Sequence, residues 1–205
     1  MQILYKNSQN TCNFCEVYYT FSMIKRKFSD FLVNWRETKQ NECLMIYGPR
    51  QVGKTFIVEK FGHDEYESFI EINFFLHPEL KKIFEGTLEA TEIYKRISAN
   101  IPNVNFIPGK TLIFLDEIQE CPNARTALKF LAIDNRYDVV ASGSLLGLHY
   151  KEIASIPVGY EKIVEMYSLD FEEFLWANGF SEDSVSVLKS YFEKREKVPE
   201  EINEK

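Results

Sequence analysis

The chain has 205 residues, 45% of them apolar, and a formal net charge of −7 with a pI near 5.2. That length and apolar content suit one α/β domain with some extra tail. The acidity argues against wrapping duplex DNA by bulk charge and leaves a local basic patch open, and with no apolar run near ~18 residues no membrane span is expected.

Residues 1–22 are polar, Asn-rich and without a clear period, and they lack an apolar signal core. Met23 opens a better domain start, Met23-Ile24-Lys25-Arg26-Lys27-Phe28, so residues 1–22 are read as poorly ordered or as an upstream extension. Cys12-x-x-Cys15 has the spacing of half a zinc site. No second pair exists, and His63, His77 and His149 are scattered, so zinc is not expected. Cys43 and Cys121 flank predicted strands and read as buried thiols of a reducing cytosol, which predicts a cytoplasmic protein. Lys25-Arg26-Lys27 is the densest basic cluster and reads as a short solvated helix start.

Phe28, Phe31, Leu32 and Trp35 recur at helical spacing and predict an amphipathic helix over 24–38. A strand over 43–47 follows. Then comes Gly48-Pro49-Arg50-Gln51-Val52-Gly53-Lys54-Thr55, a full match to G-x-x-x-x-G-K-S/T. A helix is predicted from Lys54 to Phe61, with Gly62 as its stop. Strand, glycine loop and helix in this order make a phosphate site. Successive backbone N–H groups form a concave nest for phosphate oxygens, and the helix N-terminus adds a favourable dipole. Gly48 permits the tight turn, and Gly53 lets the backbone approach the phosphate. Lys54 is expected to reach the β- and γ-phosphates, and the Thr55 hydroxyl to hold Mg2+. The predicted nucleotide-binding set is Gly48, Pro49, Arg50, Gln51, Val52, Gly53, Lys54, Thr55 and Phe56, with ATP and Mg2+ as the ligands.

Ser68–Asn73 alternates and reads as a second strand. The run from Pro78 to Gly86 reads as helix, and Thr87 to Ala99 has a helix period. Pro102 and Pro108-Gly109 mark a loop. Thr111–Asp116 is near-continuously apolar, as a buried parallel strand is. It ends in Asp116-Glu117. Asp116 is expected to bind Mg2+ through its water shell, and Glu117 to orient and deprotonate an attacking water.

A helix over about 123–135 precedes a strand at 138–142. That strand ends Ala141-Ser142-Gly143-Ser144. Ser142 and Ser144 are both candidates to face the γ-phosphate and sense hydrolysis, and a plain Ser/Gly turn is the alternative. Arg50 lies inside the loop and is read as touching phosphate or pairing with a neighbouring acid. Arg125 and Arg136 are candidates for a finger that stabilises transition-state charge, in the same subunit or a neighbour, with a surface ion pair as the alternative for each. Gly143 to Pro157 reads as loop with a short helix, and Lys162–Leu169 as a fifth strand. Asp170 caps a helix through Leu175, with Glu173 completing a capping box. A last helix spans about Ser184 to Glu196, before Pro199 and a Glu/Lys-rich end expected to fray. Strands alternating with helices predict an α/β fold, a parallel sheet with helices on both faces.

The motifs together carry a resemblance. Gly48–Thr55, Phe114-Leu115-Asp116-Glu117-Ile118-Gln119, Ala141-Ser142-Gly143-Ser144-Leu145-Leu146-Gly147, Ile156-Pro157-Val158-Gly159 and Leu169-Asp170-Phe171-Glu172-Glu173-Phe174-Leu175 occur in this order. The set resembles the AAA-type prokaryotic ATPases of the AAA_14 group, over about residues 23–180. The resemblance implies a P-loop NTPase core of the additional-strand type with a five-stranded parallel sheet. It also implies ATP binding with Mg2+, and Asp116 and Glu117 in the Walker B positions. Members of the group usually continue into a second domain of unknown function, DUF4143. This chain stops at 205, so 23–180 is read as the ATPase domain and 181–205 as a helical, charged tail that starts the following region.

The predicted function is an ATP-hydrolysing molecular switch or motor acting on an unknown protein partner. The alternatives are a nucleotide-gated binding module with little hydrolysis and an inactive truncated remnant. No Asn-Lys-x-Asp segment favours GTP, and Asp116-Glu117 suits water activation better than transfer to a bound acceptor. A finger supplied in trans would require an oligomer, and no nucleic-acid substrate is indicated.

Overall fold

A computed structural model describes residues 24–144 and 159–198. The predictions for residues 1–22, Met23, Cys12, Cys15 and His149 lie outside these residues. So do those for the short helix before Pro157, the segments 145–147 and 156–158, and the end after Val198. Contacts divide the chain into a larger unit, Arg26–Phe174, and a smaller one comprising Met1–Lys25 and Leu175–Lys205.

The larger unit opens with α1 (Lys27–Thr38), β1 (Cys43–Tyr47), α2 (Lys54–Glu65) and β2 (Ser68–Asn73). A short 3-10 helix (Pro78–Phe84), α3 (Ala90–Asn100) and β3 (Thr111–Asp116) follow. Another short 3-10 turn (Ile118–Glu120) leads to α4 (Pro122–Asp134), β4 (Asp138–Gly143) and β5 (Glu161–Glu165). The next helix, α5, is Phe171–Ala177.

The five strands form one sheet in the order β2-β3-β4-β1-β5, and every pairing is parallel. Strand side chains alternate between its two faces. Met45, Ile70, Ile72, Ile113, Leu115 and Val139 pack with Ile93 and Ile97 of α3 and Leu128 and Leu131 of α4. Leu44, Ile46, Leu112, Phe114 and Val140 pack with Leu32 and Trp35 of α1 and Ile57, Val58 and Phe61 of α2. Each such side chain contributes about 1.5–3 kcal/mol when fully buried, so the two apolar layers set the strand register. The predicted α/β architecture, with helices on both faces of a five-stranded parallel sheet, is the one observed.

Three local readings are corrected. α2 continues through Gly62 to Glu65. Gly62 has no positive φ, and a Cβ there would stand 2.2 Å from the Phe69 ring, so its role is to admit that ring. β5 ends at Glu165, not Leu169: after Met166 N donates to Tyr47 O at 2.8 Å, the chain turns away. The Pro78 segment is a 3-10 helix. The capping box at α5 is present, with Glu173 N donating to Asp170 Oδ1 at 2.8 Å and Asp170 N to Glu173 Oε2 at 3.0 Å.

In the smaller unit, Ser181 Oγ caps α6 (Glu182–Lys194) by accepting from Ser184 N at 3.2 Å. The Lys25 ammonium lies 5.3 Å from the Trp176 ring centre and pairs with Glu182. No helix among the described residues is long and apolar enough to cross a membrane.

Candidate functional site

The loop between β1 and α2 leaves the sheet through Gly48, whose φ is +152°. A Cβ on Gly48 would stand 2.1 Å from the Met166 carbonyl oxygen, so the turn passes against main chain that only glycine can approach. Gln51 (φ +63°) and Gly53 (φ +91°) also take left-handed backbone, and Gly53 caps the N-terminus of α2. Beyond its chain neighbours, nothing lies within 4 Å of where a Gly53 Cβ would stand. Consecutive N–H groups in such a curl, ahead of a 12-residue helix, make an anion-binding concavity.

Lys54 is buried, and its ammonium donates to Gly48 O at 3.0 Å and Pro49 O at 2.7 Å. Burial pulls its pKa below the ordinary lysine value, partly offset by the charges of Glu117 and Asp116. The cation therefore lies in the field of both acids.

Asp116 ends β3 and is 2% exposed. Its carboxylate takes three side-chain donors. Thr55 Oγ1 donates to Oδ2 at 3.0 Å, Asn73 Nδ2 donates to the same oxygen at 2.8 Å, and the Ser142 hydroxyl donates to Oδ1. The topology explains the meeting. β2 and β4 flank β3, and Asn73 pairs with Asp116 in register. β4 also lies against β1, where Ser142 pairs with Ile46 just before the loop. The hydroxyl–carboxylate pair Thr55–Asp116 is the hard oxygen chemistry a divalent magnesium-type cation takes, with waters completing its shell.

Glu117 steps out of the strand at φ +52°, ψ +46°. A continuing strand would put the side chains of 116 and 117 on opposite faces. The left-handed step breaks that alternation. The Glu117 carboxylate accepts from Gln119 Nε2 and, at 3.4 Å, from Ser144 Oγ. The two serines thus differ: Ser142 is fully buried on Asp116, and Ser144 is half-buried beside Glu117.

Lys54, Thr55, Asp116, Glu117, Ser142 and Ser144 are brought together. Pro49 and Arg50 are exposed on the loop, Val52 is half-buried, and Phe56 stands 56% exposed on the first turn of α2. Arg125 is corrected as a finger candidate. It is 3% exposed, and its guanidinium grips both carboxylate oxygens of Glu161, the first residue of β5. Glu161 pairs in register with Cys43, at the end of β1 remote from the loop. Arg136 is likewise engaged, on Asp134 at 2.8 Å and Thr91 at 2.8 Å, before β4 begins.

Sequence reading missed Asn73 and Arg26. Asn73 was visible only as the polar end of an alternating strand. Arg26 read as solvated, yet its guanidinium donates to the loop carbonyl of Val52 at 2.9 Å.

Over residues 40–175 the sequence matches the family AAA_14, described as an AAA domain. The uncharacterized protein MJ1544 of Methanocaldococcus jannaschii is 29% identical over 142 residues, 69% of this chain and 30% of the relative. Three solved structures share 16–18% identity. The Aeropyrum pernix ORC1 protein in complex with DNA has a TM-score of 0.42, covering 70% of this chain and 44% of its own. The Walker-type ATPase paby2304 of Pyrococcus abyssi has 0.45, covering 89% and 62%. C. elegans PCH-2 has 0.37, covering 69% and 39%. The chain therefore spans less than a third of the curated relative's length and under two thirds of each structure.

Proposed function

Because this chain belongs to the AAA_14 family of AAA domains, we propose that it binds ATP with magnesium, hydrolyses it, and acts as a switch or motor on a protein partner. The observation that carries this reading is the convergence of Thr55, Asn73 and Ser142 on Asp116 beside the Lys54 ammonium.

The amides of residues 50–55 hold the phosphates at the N-terminus of α2. Lys54 exchanges its two carbonyl partners for phosphate oxygens, a stronger charge-assisted contact. Thr55 and Asp116 would hold magnesium, which would supply positive charge against the phosphates. Asn73 and Ser142 keep the Asp116 carboxylate aimed by filling its remaining acceptor positions. Glu117 takes a proton from the attacking water, and Ser144 stands beside it to feel the loss of the γ-phosphate.

The test compares steady-state ATP turnover and ATP binding in wild type, Glu117→Gln and Lys54→Ala. Glu117→Gln should bind ATP and lose turnover about a hundredfold or more. Lys54→Ala should lose binding. Equal, slow turnover in wild type and Glu117→Gln, with ATP still bound, would sink the hydrolase reading.

One observation favours a nucleotide-gated binding module instead. The Glu117 carboxylate is already held by the Gln119 amide, which restrains it from serving as a base. Gln119→Ala separates the readings: faster turnover marks a restrained hydrolase, and unchanged negligible turnover marks the module.

A further inference from the structure

Arg26 joins two segments distant from it in sequence, the loop at Val52 and the stretch from Tyr167 to Glu173. Nη1 donates to Val52 O in the loop at 2.9 Å, and Nη2 to Tyr167 O beyond β5 at 2.7 Å. Nε lies 3.2 Å from Glu173 Oε1 as an ion pair without hydrogen-bond alignment. The Arg26 side chain is 15% exposed and that of Glu173 6%. Glu173 is itself held by main chain: Oε1 accepts Lys27 N at 2.8 Å and Oε2 accepts Asp170 N at 3.0 Å. A shielded carboxylate thus orients the guanidinium, and the guanidinium seizes one carbonyl of the loop.

The chemistry of that carbonyl gives the arrangement a purpose. The Val52–Gly53 peptide is planar and trans, so its C=O and N–H point in opposite directions. Holding the Val52 oxygen on Arg26 turns the Gly53 N–H away from Arg26. Gly53 has no side chain and takes φ +91°, so its own backbone does little to resist a flip of this peptide.

We propose that Arg26 is a positioning residue for the phosphate nest. It locks the Val52–Gly53 peptide with the Gly53 N–H facing into the loop's concavity, and Glu173 holds it there. This rests on the nucleotide-binding reading above. Occupancy of the nest and the order of the α5 N-terminus are then coupled through one guanidinium, and the coupling is reciprocal.

The experiment measures ATP and ADP affinity by titration calorimetry in wild type, Arg26→Ala, Arg26→Lys, Glu173→Gln and Lys54→Ala, with melting temperatures alongside. Arg26→Ala should weaken ATP and ADP by the same factor, about tenfold, the effect of one hydrogen bond to a charged group. Millimolar methylguanidinium should restore much of that affinity, which it would not do for a merely structural defect. Arg26→Lys should recover only part, because an ammonium cannot span the three partners. Glu173→Gln should weaken both nucleotides less, in the same direction.

Hydrogen exchange on nucleotide-free protein supplies a second readout. Arg26→Ala should speed exchange at residues 52–55 and 170–173. Wild-type affinity in Arg26→Ala, with Lys54→Ala defective, overturns the proposal and leaves the nucleotide reading standing. No ATP binding by wild type removes that reading instead. Unchanged exchange at 52–55 in Arg26→Ala overturns the lock itself.

Discussion

The amide nitrogen of Asn73 and the carboxylate of Asp116 are 2.8 Å apart, at the matched ends of neighbouring parallel strands. The other end of that amide is also engaged. Asn73 Oδ1 accepts the N–H groups of Phe75 at 3.1 Å and Leu76 at 2.9 Å. One side chain therefore aims the buried acid and shapes the turn that presents Phe75 and Leu76 to solvent, 71% and 66% exposed.

Asn73→Ala is expected to lower unfolding free energy by about 1–3 kcal/mol in urea titrations, because Asp116 loses a donor in a buried site. Asn73→Asp should be worse, since it sets a second carboxylate against the first. Equal stability of the two variants would show that the amide does not serve Asp116.

The loop glycines should separate by cause. Gly48→Ala drives a Cβ into the Met166 carbonyl, and a loss of about 3 kcal/mol or more in thermal or urea unfolding is expected. Gly53→Ala meets no atom and carries only left-handed strain, about 1–2 kcal/mol. It should fold, and bind ATP more weakly. A well-folded Gly48→Ala would contradict the close approach.

Arg125 and Glu161 form a buried pair. Arg125→Ala leaves Glu161 uncompensated, and a cost of about 3–5 kcal/mol is expected in urea unfolding. Apolar replacement of both residues together should recover most of it. ATP affinity of the folded fraction should not change. A selective loss of turnover in Arg125→Ala, without destabilisation, would restore its candidacy as a finger.

Glu59 and Glu71 both stand above the ordinary carboxyl pKa, chiefly through burial. The negative charge of Asp116 adds to each, and that of Glu59 adds to Glu71. Between the ordinary value of 4.5 and the raised folded values, the folded chain binds more protons than the unfolded one. Stability is therefore lost as pH rises through that interval. Glu71→Gln, which cannot ionise, should raise the melting temperature over wild type at pH 7 and leave it nearly unchanged at pH 4. A difference that does not vary with pH would refute the sign.

Much of the frame was legible because its signals are local. The run Thr111–Asp116 reads as a strand buried on both faces, and Gly48–Thr55 announces its loop by composition. What stayed hidden depends on lateral order. Nothing in the alternation of Ser68–Asn73 says that this strand lies beside β3, so Asn73 had no visible partner. Arg26 sits in a basic triplet, and only the fold carries Val52, Tyr167 and Glu173 to it. For Arg125, read as a finger or a surface ion pair, the burial of its pair stayed hidden for the converse reason. Helical phase turns it inward, to an acid that sequence separation concealed.

The left-handed step at Glu117 has a consequence for how this gene can drift. Deleting or inserting one codon between 111 and 116 would carry the acid at 116 round to the wrong face of β3 and shift a side chain into a backbone pose that few residues tolerate. A one-residue slip would misplace both carboxylates in a single event.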